Sequence, residues 1–285
     1  DSLKAKIKLI EEIKRFAFDS LGIYPSKNYT KMYDQKGLPG MYVVTACEAY
    51  ALNSYKWSFP ILGEFSYKGF FKKKKAVKEA QKLKNEGFDT DIGEVNAWST
   101  LGWFKDPIMS SMLQKTEGQL ARLLIHELTH GTIFVKNDVQ FNENLASFIG
   151  DKGALMFLKN KYPKDSQVIK SYLDELSDLQ KIRAHMHRGA LQLKKFYKEK
   201  GALKPEKEKK VQIHKVLDNM DTLSLNSFHK VRRIQALKHN LNNTFFTDFL
   251  MYREDQKQLE KTFNEDFGGD FKLYFDSLKE KYTTL

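Results

Sequence analysis

The sequence predicts an α+β fold, with an N-terminal helix and a small mixed β-sheet followed by a mainly helical C-terminal half. Three observations predict it. Ile7, Ile10, Ile13, Phe16 and Leu21 recur at helical spacing. From Gly40 to about Phe71 the chain carries β-branched and aromatic runs broken by glycines. After Asp106-Pro107 the apolar residues return to a spacing of three to four almost to the end.

Taken in order, residues 3–21 read as an amphipathic helix. Met41-Tyr42-Val43-Val44-Thr45, Trp57-Ser58-Phe59-Pro60-Ile61-Leu62 and Phe65-Ser66-Tyr67 read as strands, with Gly63 and Gly69 as breaks. Lys72 to Lys75 opens a solvated helix running to about residue 86, and Asp89 to Val95 reads as another strand. Leu120, Leu123, Leu124 and Leu128 mark a helix with a Thr116/Gln119 capping box at its start and Gly131 as its stop. Phe141, Leu145, Phe148, Ile149, Leu155 and Leu158 mark the next helix; Ala146, Ser147, Gly150, Gly153 and Ala154 keep its other positions small for close packing.

Residues 165–222 read as a long antiparallel helical pair. Ile169, Leu173, Leu176, Leu179, Ile182 and Met186 form one stripe, and Val211, Val216, Leu217 and Met220 the other. Gly201 to Pro205 is the expected turn. His185 and His187 face apart at i and i+2, so they read as surface residues rather than ligands. The chain divides into an N-terminal α/β region, 1–115, and a helical region, 116–285, acting as one continuous unit.

Composition excludes several classes. At 285 residues, 41% hydrophobic and 29% charged, the chain is globular, and no apolar run reaches the roughly 18 residues of a membrane span. The net charge of +12 comes from lysines interleaved with acids, without a nucleic-acid module, so no nucleic-acid partner is expected. Attraction to an anionic membrane surface is compatible with that charge. The single cysteine, Cys47, forms no intramolecular disulfide and reads as a buried small hydrophobe.

The chemistry lies in His126-Glu127-Leu128-Thr129-His130. Histidines at i and i+4 share one helix face and reach one Zn²⁺, while Glu127 sits where a general base for water is needed. A third ligand completes such a site. The metzincin pattern is excluded, because Ile133 and Lys136 stand where its Gly and His would be. A His₂Glu site takes a glutamate from the following helix, and Glu143, thirteen residues after His130, supplies it.

Four separated blocks carry a resemblance: Trp57 to Pro60 with Phe65 to Gly69; Ser99 to Pro107; His126 to His130 with Asn142-Glu143; and Leu241-Asn242-Asn243 with Tyr252. Together they resemble the bacterial zinc aminopeptidase family, itself similar to the gluzincins, the thermolysin-like His₂Glu peptidases. The resemblance implies a zincin-like fold, one Zn²⁺ held by His126, His130 and Glu143, and Glu127 as the base. Asn96, Ala97, Trp98 and Ser99 resemble the edge strand that holds extended substrate, which is assigned to residues 96–103 and includes Gly102. Trp103 and Phe104 read equally as core aromatics.

A peptidase of this kind needs a donor for the developing oxyanion. Tyr252, nine residues beyond Asn243, is the candidate; Asn242 and Asn243 are candidate substrate contacts, with His229 and His239 in reserve. The expected function is zinc-dependent peptide hydrolysis by an aminopeptidase. A narrow-cleft endopeptidase and a zinc-containing binding protein without turnover are the alternatives. The G-x-M-E-N amine-binding motif is absent; Glu64, Glu94 and Asp106 are substitutes among which the sequence does not choose. The family's habits imply the bacterial envelope or periplasm as the compartment.

Overall fold

The structure is a computed structural model that describes residues 2–59, 63–95, 106–136, 138–227, 229–236 and 241–282, with backbone only at 229, 230, 233, 248 and 251–255. The expected α+β character holds: an N-terminal helix, small sheets, then a mainly helical C-terminal half. In chain order the elements are α1 (Ser2–Asp19), β1 (Met32–Tyr33), β2 (Met41–Glu48), β3 (Trp57–Phe59), β4 (Gly63–Phe65), β5 (Tyr67–Phe70), α2 (Lys73–Asn85), β6 (Phe88–Val95) and β7 (Ile108–Met109). A 3-10 turn at Ser110–Gln114 precedes α3 (Glu117–His130), α4 (Val139–Lys161), α5 (Gln167–Lys200), α6 (Glu206–Asp218), α7 (His229–Ala236), α8 (Thr244–Glu265) and α9 (Phe271–Lys281).

The chain divides into two compact units. The first comprises residues 1–40, 95–173 and 254–285; the second comprises 41–94 and 174–253. In the first, α3 packs on α4 and α1 packs on both. Ile10, Ile13, Leu120, Leu124, Leu145 and Ile149, periodic residues that the sequence marks, are buried on these helices together with Ala17 and Ile125. Phe148, Phe263 and Tyr274 stack edge to face, with centroids 5.5–5.8 Å apart. β1 and β7 pair in parallel, Met32 opposite Ile108.

In the second unit, β2 lies between β5 and β6, antiparallel to β5, and β3 pairs with β4. The single small sheet expected from the sequence is therefore shared among separate small sheets. Val44, Ala46 and Trp57 pack against Ala76, Ala80 and Leu83 of α2. A helical core joins Ile182, Met186, Ala190 and Leu193 of α5 to Ile213, Val216 and Leu217 of α6 and Phe246 of α8. The long helical pair turns at Gly201–Leu203, as expected, and Lys204 takes a left-handed backbone before Pro205.

Several details differ from the expected stripes. Leu173 is exposed while Tyr172 is buried, because Gly118 leaves the tyrosine ring its space: a Cβ there would lie 2.4 Å from Tyr172 Cδ2. Val211 is exposed and Ile213 takes its place in the core. His185 and His187 are half-buried rather than surface residues; His185 Nε2 lies 2.7 Å from the Val216 carbonyl and His187 Nδ1 2.7 Å from that of Phe249. These contacts give them a packing role within the helical core. Cys47 is fully buried in β2, as its apolar neighbours predict.

Candidate metal centre

Helix α3 begins where its capping chemistry directs. Thr116 Oγ1 accepts from the Gln119 amide while Gln119 Oε1 accepts from the Thr116 amide, both at 3.3 Å. It ends at His130, as expected, but Gly131 keeps a right-handed backbone (φ −78°) instead of the left-handed one such glycines often adopt. The amides of Thr132 and Ile133 both donate to the Thr129 carbonyl and close the last turn. The chain then reverses into α4, whose first turn is capped by the Asp138 carboxylate accepting from the Phe141 amide.

Asn142 fixes that reversal. Its side-chain oxygen accepts from the Val135 amide and its nitrogen donates to the Val135 carbonyl, both at 2.8 Å. A side chain that binds both polar groups of one loop residue sets the distance between loop and helix. The next residue, Glu143, is thereby held over the end of α3. Close helix contact completes the placement: a Cβ on Gly150 of α4 would lie 2.9 Å from the Arg122 carbonyl oxygen and 3.2 Å from His126 Cβ. The Arg122 guanidinium also pairs with the Asp151 carboxylate across the two helices.

The result is a triangle of donor atoms. His126 Nε2 and His130 Nε2 are 3.2 Å apart, and each lies 3.4 Å from an oxygen of Glu143. Among the described residues, His126, His130 and Glu143 form a group able to hold a metal ion, with ligand atoms all within 4.8 Å of one another. Zinc–donor bonds of about 2.1 Å place neighbouring ligands of a tetrahedron about 3.4 Å apart, so the donor set fits such an ion. Glu143 is half exposed at its side chain and His130 almost fully buried, which leaves the cluster open on the carboxylate side.

Electrostatics separate the roles. Burial pushes the Glu127 carboxyl up to about 7; the His126 charge opposes this, while the Glu143 and Asp106 carboxylates add to it. Burial likewise lowers the His130 imidazole to about 4, keeping it neutral and able to ligate. Burial also opposes a charged His126, but the hydrogen bond to Glu143 and the neighbouring Glu127 and Glu143 charges outweigh it and raise its pKa. For Glu143 the two histidines outweigh burial and hold the carboxylate ionised. Ser147 Oγ stands 3.4 Å from His126 Nδ1, which orients the ring with Nε2 toward the cluster. His130 Nδ1 is buried without a hydrogen-bond partner.

The structure thus brings together His126, Glu127, His130 and Glu143, all in the first unit. Asn242 and Asn243 belong to the second. Asn243 is fully buried there: its side-chain nitrogen reaches the carbonyls of Glu48, Ala49 and Ala51, its oxygen accepts from the Tyr197 hydroxyl, and its amide donates to Asp89. Asn242 donates to the Thr90 carbonyl and accepts from Thr244. Residues 96–105, and with them Asn96, Ala97, Trp98, Ser99, Gly102, Trp103 and Phe104, lie outside the described residues, as does His239. Tyr252 lies on α8 and His229 on α7, and their side chains are outside the described set. Sequence reading passed over Asn142 as a loop anchor and Ser147 as a histidine partner. The available signal was their position on α4, Asn142 directly before Glu143 and Ser147 one turn after it.

Two histidines one turn apart on one helix, and a carboxylate from the next, define a mixed α/β protein built around a His₂Glu donor set. The chain belongs to the family described as "Putative aminopeptidase", whose model matches residues 1–283. No curated protein and no solved structure matches it.

Proposed function

We propose that the chain is a zinc-dependent peptidase of the gluzincin type, with a zincin-like catalytic helix pair, and that it acts as an aminopeptidase. The observation that carries the reading is the donor triangle of 3.2 and 3.4 Å between His126, His130 and Glu143, which matches the ligand separations of a tetrahedral site. Zinc held there supplies Lewis acidity toward a carbonyl and toward water.

The chain's own residues do the rest. Glu127, whose burial favours the protonated carboxyl, takes a proton from the attacking water and returns it to the leaving amine. His130 stays neutral through burial, and Ser147 fixes the ring of His126. Tyr252 is assigned to the developing oxyanion and residues 96–103 to the extended substrate; Asn243, fully buried with its side chain spent on backbone carbonyls and the Tyr197 hydroxyl, and Asn242, bound to Thr90 and Thr244, take structural roles in the second unit instead of the expected substrate contacts.

Zinc titration into chelator-stripped protein, followed by digestion of a peptide library, tests the assignment. One equivalent of zinc is expected to bind. Glu143→Ala is expected to weaken that binding at least tenfold, and Glu127→Gln to keep it while lowering hydrolysis on the order of 100-fold or more. Zinc-loaded protein that cleaves nothing would favour a binding protein instead.

A further inference from the structure

Helix α2 carries a charge pattern that its own stability does not explain. Lys72 to Lys75, Lys78, Lys82 and Lys84 put seven lysines on it or at its start, against one acid, Glu79, and no arginine. The first four stand at the positive end of the helix dipole, where cations are disfavoured. Packing does not call for them either. The buried residues of α2 are Ala76, Ala80 and Leu83, which face β2 and β5.

The lysines point away from that contact, and their charge is little neutralised. All seven are exposed. At about 3.6 residues per turn, Lys74 and Lys78 lie opposite the Ala76–Ala80 face, with Lys75 and Lys82 beside them. The one acid is tied inward: Glu79 Oε1 accepts from Trp57 Nε1 at 2.8 Å and from Lys68 Nζ at 3.1 Å. Lys73 and Lys82 reach Glu94 and Glu86 only at 3.9 Å, in pairs open to water. Lys72, Lys74, Lys75, Lys78 and Lys84 enter no ion pair among the described residues. Two apolar side chains stand out among these charges. Phe71, directly before the run, is 75% exposed, and Val77 of α2 is 47% exposed.

We propose that this face of the second unit docks on an anionic phospholipid bilayer, with the lysines at the headgroups and Phe71 entering the interface. The face is about 20 Å long, and several anionic headgroups meet it at once. Charge complementarity alone would also admit a nucleic acid, but two observations favour lipid. Ammonium groups are compact point charges that suit a fluid array of phosphates, whereas base readout in a duplex relies chiefly on arginine forks, which α2 lacks. An exposed aromatic ring beside the lysines is an anchor at the boundary between headgroups and acyl chains. The apolar face of α2 is already spent on the sheet, so the helix rests on the surface without sinking into it. The proposal is independent of the peptidase reading.

The test uses the full chain and its sedimentation with vesicles of phosphatidylcholine, either alone or with about 30% phosphatidylglycerol. Wild type is expected to bind the anionic vesicles at least about tenfold more tightly, and to be released when salt rises from about 0.1 M to about 1 M. The triple variant Lys74→Gln, Lys75→Gln, Lys78→Gln is expected to bind on the order of 30-fold less tightly. Removing the same charge from exposed lysines of α5, by Lys194→Gln, Lys195→Gln and Lys198→Gln, should cost about threefold or less. Phe71→Ser should weaken binding roughly threefold to tenfold. All these side chains are exposed, so each variant should keep the wild-type Tm.

Equal binding to neutral and anionic vesicles, or binding to neither, would overturn the proposal. So would an equal loss in the two triple variants, which would assign the attraction to net charge and not to α2. A duplex oligonucleotide bound more tightly than the anionic vesicles, with no loss in Phe71→Ser, would give the face to nucleic acid instead. The wild-type vesicle comparison stands even if a variant fails to fold.

Discussion

Asn142 binds both backbone polar groups of Val135 at 2.8 Å, and through that pair the loop after the histidine helix is tied to the helix that carries Glu143. The metal-ligand candidates come from two helices, and this clamp sets how the second returns to the first. Asn142→Ala leaves the amide and carbonyl of Val135 unpaired in a partly buried place. A loss of about 1–3 kcal/mol in urea denaturation is expected, with zinc affinity lower by roughly tenfold or more. Unchanged zinc affinity would show that Glu143 is positioned by other contacts.

Gly150 and Gly153 make contrasting probes of the same helix pair. A Cβ at Gly150 meets the Arg122 carbonyl oxygen at 2.9 Å, a backbone atom that cannot move alone, whereas one at Gly153 meets the Leu21 and Ile125 side chains at 2.8 and 3.0 Å. Gly150→Ala is expected to cost about 1–3 kcal/mol and to weaken zinc binding by separating His126 from Glu143. Gly153→Ala should cost less and leave zinc binding nearer the wild-type value. Paired denaturation curves and zinc titrations distinguish the two.

The raised Glu127 carboxyl predicts a pH signature in metal-free protein. Its ordinary value is 4.5 and its folded value about 7, so between those limits the folded state keeps a proton that the unfolded chain has released. Raising the pH through this window strips that proton and lowers stability. Glu127→Gln cannot titrate, so its stability relative to wild type should increase from about pH 4.5 to about pH 7, by up to about 3 kcal/mol, and level off above. His130, lowered to about 4, works in the opposite direction, with stability lost as the pH falls from 6.5 toward 4, but it is present in both proteins. Denaturation midpoints in chelator across pH 4 to 8 check this; a difference that stays constant with pH would refute the shift.

In the second unit, Asn243 gathers three carbonyls and the Tyr197 hydroxyl onto one buried amide. Asn243→Ala strands those groups, and a loss of roughly 2–4 kcal/mol is expected from the sum of unpaired buried partners. The conservative Asn243→Asp keeps the acceptor for Tyr197 but removes the donors to the carbonyls, so it should be similarly damaging. Chemical denaturation of both variants measures the effect.

Local features of the sequence translate well into structure here. The Thr116/Gln119 box, the Leu120-Leu124-Leu128 stripe and the small residues of α4 each depend on near neighbours along the chain, and each appears as expected. The buried face of α5 is less legible: Tyr172 replaces Leu173 because a glycine on another helix, Gly118, opens space for its ring. Periodicity offers two adjacent apolar residues as equals, and only the opposing surface chooses between them.

The same division holds for the candidate site. The sequence by itself determined that two imidazoles share one face of a capped helix with a glutamate between them, and that a second glutamate opens the next helix. Helical pitch and capping chemistry are enough for that. Only the tertiary structure decided that Asn142 ties down the loop, that Gly150 lets α4 approach His126, and that Tyr29 is latched to Asp106 across 77 positions of sequence. Those contacts join residues with no common period, so they come into being only when distant segments pack.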